Sequence, residues 1–230
     1  MKKILTFSVL LVLMIALGAY AQFGGKAQQG PRLYGEFKPV VGAWAEYQMK
    51  TEKEAPTKMK IAIVGKEGQS YWYETVTEGK ERIVSKMLIS GDPKDQKGVK
   101  RMIMKTGNNP AMEMPVMGMG KQTAKPQMQP KGKIIDKGME NITVPAGTFM
   151  ARHFQYQDGK EVVDSWSSEK IPPYGMVKSG TKDFEMVLVG YGTGAKSLIT
   201  ETPKKFQMPK MPQGFPQGFP QGMPPGMGNQ

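Results

Sequence analysis

ITVPAGTFMARHFQYQDGKEVVDSWSSEKIPPYGMVKSG at residues 142–180, followed by DFEMVLVGYGTG at 183–194, decides how this chain folds. Pro145 fixes φ and Gly147 permits the turn that launches 148–157, a run of aromatic, β-branched and polar residues. Asp158-Gly159 is a hairpin signal, and 161–166 reads as the return strand. Pro172-Pro173-Tyr174-Gly175 then turns the chain into 176–178 and 184–191. Strands of this length, joined by turns this short, read as an antiparallel meander.

The same grammar extends towards the N-terminus. Residues 44–49 alternate, with Ala45, Tyr47 and Met49 on one face and Trp44, Glu46 and Gln48 on the other. Residues 59–64 place Met59, Ile61 and Ile63 on a common face. Residues 70–77, SYWYETVT, are the most aromatic strand, and 82–89 carry Ile83, Met87 and Ile89 along one side. Residues 100–105 and 133–136 read as further strands, and 197–200 as a last one. No stretch of 22–230 sustains an apolar i, i+3, i+4, i+7 pattern, so little helix is expected. Short helices are expected at most near 36–41 or within 93–100. The fold class is therefore mainly β: an antiparallel curved sheet or half-barrel meander with few short helices, plus a disordered C-terminal tail.

The ends and one insert differ in composition. Lys2 and Lys3 precede the apolar run 4–17, which ends in Ala19-Tyr20-Ala21. This is the pattern of a signal peptide over 1–21, cleaved before Gln22. The run is shorter than the roughly 20 residues a spanning helix needs, so the processed chain is not expected to span a membrane. Residues 22–32 read as a flexible leader, 33–202 as the β domain, and 108–132 as a long Met-rich loop within it. From 203 to 230 the chain is Pro/Gly/Gln/Met-rich, with PQGF at 212–215 and 216–219 and PQGM at 220–223. Such a composition cannot bury enough apolar surface to offset its ordering entropy, so a disordered tail is expected.

The formal charge is +12, and losing Lys2 and Lys3 with the signal peptide leaves +10. The lysines are scattered, without an arginine cluster or a basic helical stripe, and the address is periplasmic or secreted. Both features argue against nucleic acid; the plain reading is a solvated basic surface, with anionic envelope components as candidate partners. There is no cysteine, which excludes thiol catalysis, disulfides and a lipid-modified N-terminal cysteine. His153 is the sole histidine, and no nucleophile elbow, HExxH, P-loop or calcium loop occurs. Gly190-Tyr191-Gly192-Thr193-Gly194 lacks the Lys-Ser/Thr and the helix that a phosphate loop requires. These absences point away from an enzyme.

Two binding chemistries remain. Trp44, Tyr47, Trp72, Tyr73, Phe154 and Trp166 all fall in strands and are candidates to line the concave face of a curved sheet, where an apolar or amphiphilic ligand such as a lipid would lie; the ordinary alternative for each is a place in the core. The alternative uses the 20 methionines. Met112, Met114, Met117 and Met119, with His153, could offer soft ligands to copper as Cu(I). The ordinary role of methionine, adaptable apolar contact, stands beside that reading. A third possibility is an envelope-interaction protein acting through the repeated tail.

Several segments also carry a family resemblance. The signal peptide, VPAGTF at 144–149, the Trp-containing strand 162–166 and PPYGMVK at 172–178 resemble bacterial exported proteins of unknown function. These are similar to the lipoprotein-carrier superfamily. The resemblance covers about 33–200, most specifically 144–178. It implies an antiparallel sheet bent into a half-barrel whose apolar cavity takes lipid or acyl chains. The Met-rich insert and the lack of covering helices depart from that pattern.

Overall fold

The computed structural model describes residues 33, 35–52, 54–93, 98–116 and 132–206. These form one open, curved sheet of twelve strands in the order β12-β6-β5-β4-β3-β2-β1-β11-β10-β9-β8-β7. The strands are β1 (Trp44–Thr51), β2 (Thr57–Glu67), β3 (Ser70–Glu78), β4 (Arg82–Ile89), β5 (Val99–Thr106) and β6 (Met112–Met114). They continue with β7 (Lys133–Val144), β8 (Gly147–Asp158), β9 (Glu161–Ser167), β10 (Met176–Gly180), β11 (Phe184–Gly192) and β12 (Lys204–Lys205). All neighbours are antiparallel except β12, which runs parallel to β6. The meander read from turn chemistry is thus the observed architecture, closed into one sheet where β11 pairs with β1 across the sequence.

Four local expectations are corrected. Residues 36–41 form no helix; they take no regular structure and run into a turn closed by Ala43 N–H on the Val40 carbonyl, and Lys38 N–H donates to the Pro173 carbonyl at 2.9 Å. Residues 197–200 are not a strand, because their polar groups bond to the Glu74 side chain rather than to a neighbouring ladder. Two pieces assigned by composition to loop and tail are short strands instead. Met112–Met114 pairs with β5, and Lys204–Lys205 pairs with Met112-Glu113. Composition reports average propensity, whereas pairing needs only two or three backbone groups brought alongside an open edge. The signal peptide, the leader, 117–131 and 207–230 lie outside the described residues, as does part of 93–100.

Cross-strand partners share a face, so the registers sort the core. Tyr47, Ile63, Tyr73, Met87, Ile89, Met102 and Leu188 are buried on the inner face. Ile171, Phe37 and Tyr174 close over them. The Phe37 ring centroid lies 5.2 Å from Tyr174 and 6.2 Å from Tyr73, and Tyr47 Oη donates to the Met176 carbonyl at 3.2 Å. Burial pushes the Tyr47 and Tyr73 hydroxyls well above the ordinary tyrosine range. At Gly175 (φ +76°) the loop turns so tightly that a Cβ would meet the Ser168 carbonyl oxygen at 2.9 Å.

The outer face of β1–β6 is crossed by the chain that leaves β11. Trp44 Nε1–H donates to the Thr193 carbonyl at 3.2 Å, and Ala195 N–H to the Gly42 carbonyl at 2.8 Å. Ser197 Oγ–H and Leu198 N–H donate to Glu74 at 2.6 and 3.0 Å. Ile199 packs with Val76, Val84, Ile103 and Ala111, Glu201 pairs with Lys105 at 2.6 Å, and β12 ends the strap against β6. Glu74 is only 2% exposed, a carboxylate sealed between sheet and strap.

Candidate functional site

The six aromatic residues singled out from sequence do not share one surface. Tyr47 and Tyr73 are buried in the inner core. Trp44 and Trp72 stand on the opposite face, in the rows that also carry Ala62, Glu74 and Leu88. Lys60 lies 4.3 Å from the Trp44 ring centroid, while Lys86 and Arg101 lie 4.9 and 5.4 Å from that of Trp72. The glycine-rich 190–194 run finds its explanation here. A Cβ at Gly192 would sit 3.2 Å from the Trp44 indole, so the glycines make room for that ring. Phe154 pairs with Ser165, whereas Trp166 pairs with His153 and Lys178, which sets Phe154 and Trp166 on opposite faces of β8–β9.

Trp166 is the member of the set around which polar groups converge. β8 supplies His153 and Gln155, β9 supplies Asp164 and Trp166, β7 supplies Glu140 and β10 supplies Lys178. The His153 ring stacks on the indole, 4.2 Å between centroids and 19° between planes. His153 Nδ1 lies 3.0 Å from Glu140 Oε1, and its Nε2 lies 2.7 Å from Asp164 Oδ1. Glu140 Oε1 also accepts from Trp166 Nε1, and Asp164 Oδ1 from Gln155 Nε2 at 3.0 Å. One indole is therefore held by a stacked ring and a carboxylate, each of which is itself held by a neighbour. Just beyond, Arg152 donates to Asp136 and holds that carboxyl below the usual carboxylate range, with the Gly138 N–H adding to the effect.

Trp166 forms one wall of a shallow groove of about 340 Å³ whose other principal residues are Val162, Lys178, Lys182, Phe184 and Glu185. Val162 and Trp166, two rows of one face of β9, give it an apolar wall. Lys178 pairs with Glu185 at 2.7 Å, while Lys182 has no ion-pair partner among the described residues. The groove was not legible in sequence. Lys178 and Glu185 are unremarkable residues there, and only the register of β9, β10 and β11 brings them, and with them the turn that carries Lys182, beside Trp166. A smaller groove of about 300 Å³ lies at the mouth of the inner core, beside Phe37, Pro39 and Tyr71.

For the soft-metal alternative, the structure separates the proposed ligands. Met112 and Met114 lie on β6, next to one end of the strand order, while His153 lies on β8, next to the other. Both His153 nitrogens already face carboxylates. Met117 and Met119 lie outside the described residues. Among the described residues, no group of three or more histidine, aspartate or glutamate side chains could hold a metal ion, and no helix is long and apolar enough to cross a membrane.

No protein-family model matches the chain, and no curated protein does. Solved structures of similar shape include MucB in complex with MucA(peri), at 9% identity and a TM-score of 0.40. That match covers 67% of this chain, and the chain spans about half, 51%, of MucB. A candidate exported protein with a YmcC-like fold from Bacteroides fragilis matches at 10% identity and a TM-score of 0.34 over 70% of this chain and 100% of its own. A candidate lipoprotein from Parabacteroides distasonis matches at 14% identity and a TM-score of 0.33, again over 70% and 100%. These likenesses are loose ones of general shape.

Proposed function

We propose that this is an exported, non-enzymatic binding protein of the bacterial envelope. Its ligand would be an amphiphile with one apolar chain and an anionic head, bound in the groove beside Trp166. The exported address rests on the signal-peptide pattern of 1–21. The observation that carries the binding reading is the clamped indole. Trp166 is stacked on His153 and bonded to Glu140 by the protein's own side chains, so little ordering entropy is lost when an apolar chain lies against it.

Groove chemistry supports the ligand class. Val162 and Trp166 would take the chain, and Lys182 would meet the head, with Lys178 shared with Glu185. The inner face, where the sequence reading places the ligand, is filled by the protein's own side chains, which favours the groove. At about 340 Å³ the groove suits one chain rather than a two-chain lipid. The non-enzymatic reading draws on the same cluster, since both His153 nitrogens lie against carboxylates, and among the described residues no hydroxyl takes either place.

The test is calorimetric titration with dodecanoate, dodecyltrimethylammonium and dodecyl maltoside, each below its micellar concentration. Dodecanoate should bind more tightly than the other two. Trp166→Ala should abolish binding, and Lys182→Glu should remove the preference for the anion. Equal affinity for the three head groups, or an unchanged Trp166→Ala variant, would refute the proposal.

A further inference from the structure

The β5–β6 hairpin holds an arrangement that neither the groove nor the core requires. Its register pairs Met102 with Met114 and Met104 with Met112, with Ile103 opposite Glu113 between them. Residues two apart on a strand share a face, as do cross-strand partners, so all four methionines project on one side. That side is the inner face, because Met102 also pairs with Met87, which pairs with Tyr73. Ile103, Glu113 and Arg101 project on the other.

From this register we propose that Met102, Met104, Met112 and Met114 form a thioether site for a soft monovalent cation, Cu(I) in biology and Ag(I) as its analogue. Cross-strand Cβ atoms are about 5 Å apart and i, i+2 neighbours about 7 Å apart, so the four Cβ atoms form a small rectangle. An unbranched side chain with three rotatable bonds can swing each sulfur inward over the centre of that rectangle. Four neutral sulfurs select a soft ion over zinc, calcium or magnesium, which prefer imidazole, carboxylate or thiolate ligands.

Burial fits a site with a floor and an opening. Met102 is 1% exposed and forms the floor, whereas Met104, Met112 and Met114 are half-buried. Only the two-residue β12 lies beyond β6 in the sheet, which keeps this corner near an edge. The Arg101–Glu113 pair, 2.8 Å apart, fixes the hairpin from the opposite face without offering a hard ligand on the sulfur side. This assignment departs from the sequence-level copper reading. His153 is not in the set, and Met102 and Met104 replace the ligands that were sought downstream.

The experiment is competition for Cu(I) between the full processed chain and bicinchoninate under reducing conditions. Wild type should withdraw one equivalent, with sulfur-only scattering around the ion by X-ray absorption. Met104→Leu/Met112→Leu keeps apolar bulk and should weaken binding about tenfold or more, because half of the soft ligands are gone. Met117→Leu/Met119→Leu should match wild type. In a second measurement, Ag(I)-loaded wild type should resist hydrogen peroxide at Met104, Met112 and Met114, read as sulfoxide by peptide mass. Failure to withdraw Cu(I), full affinity in Met104→Leu/Met112→Leu, or loss confined to Met117→Leu/Met119→Leu overturns the proposal. Equal oxidation with and without Ag(I) overturns it too, and needs no variant to fold. Amphiphile binding is unaffected by any of these outcomes, since the groove lies on β9–β11.

Discussion

Glu74→Leu is the substitution that most directly measures what the strap contributes. The carboxylate accepts from Ser197 Oγ at 2.6 Å and Leu198 N at 3.0 Å, and it is 2% exposed. Leucine fills much of the same volume beside Trp72 and Val76, so the cavity term is small. What changes is polar satisfaction. Ser197 Oγ can still donate to the Ile199 carbonyl at 3.1 Å, but the Leu198 N–H loses its acceptor. The bond is part-buried and Leu198 itself is exposed, so the orphaned donor costs about 1–2 kcal/mol, and losing the second charged bond about 1 kcal/mol more. Against this stands the desolvation of a buried carboxylate, which removing the charge relieves. We expect the bonds to win by about 2–3 kcal/mol, which for a domain of this size lowers Tm by about 4–12 °C. Glu74→Gln keeps one acceptor for Leu198 and should cost about 1 kcal/mol. The assay is thermal unfolding together with amide exchange at Leu198, Lys204 and Phe206, which should accelerate in Glu74→Leu before the rest of the sheet does. A Glu74→Leu protein as stable as wild type, with unchanged exchange along the strap, would mean that desolvation cancels the anchor and the strap is held by Ile199 alone.

Two further outcomes follow from the structure. Glu113 and Glu201 have carboxyls held below their ordinary range, chiefly by the Arg101 and Lys105 side chains respectively. A depressed folded value contributes stability above the unfolded pKa that is lost as pH falls through the folded one, so the β5–β6–β12 edge should loosen first on acidification below about pH 4, seen as faster exchange at Lys204 and Phe206; uniform loosening of all strands would contradict this. Gly175→Ala meets both a positive φ and the Ser168 carbonyl, whereas Gly68→Ala (φ +58°) meets nothing within 4 Å. The first should cost about 2–4 kcal/mol and the second about 1–2 kcal/mol, read from denaturant midpoints; equal costs would show that the 168–175 loop relaxes freely.

Much of the fold was legible because it is written locally. Asp158-Gly159 specifies a hairpin through backbone conformations that most residues avoid, and alternation in Trp44–Thr51 specifies a face through the period of two. Every such signal lies within a few residues of the structure it dictates. The signal-peptide pattern is equally local. The strap was not legible. Its polar atoms bond to Glu74, 123 and 124 positions away in sequence, and Ile199 packs on residues from three strands. Nothing in the 197–200 segment itself distinguishes that arrangement from a final strand.

The candidate sites divide in the same way. Sequence alone picked out Trp166, His153, Met112 and Met114 as residues with chemistry to offer, because residue type is a property of one position. Which of them meet is a property of register. A shift of one residue between β8 and β9 would set His153 on the opposite face from Trp166 and dissolve the clamp. Likewise, the pairing of β5 with β6 exchanged His153 for Met102 and Met104 as partners of Met112 and Met114. Local propensity determined that this chain would be strands and turns. Long-range pairing, fixed by burying one face of the whole sheet, decided which side chains share a surface.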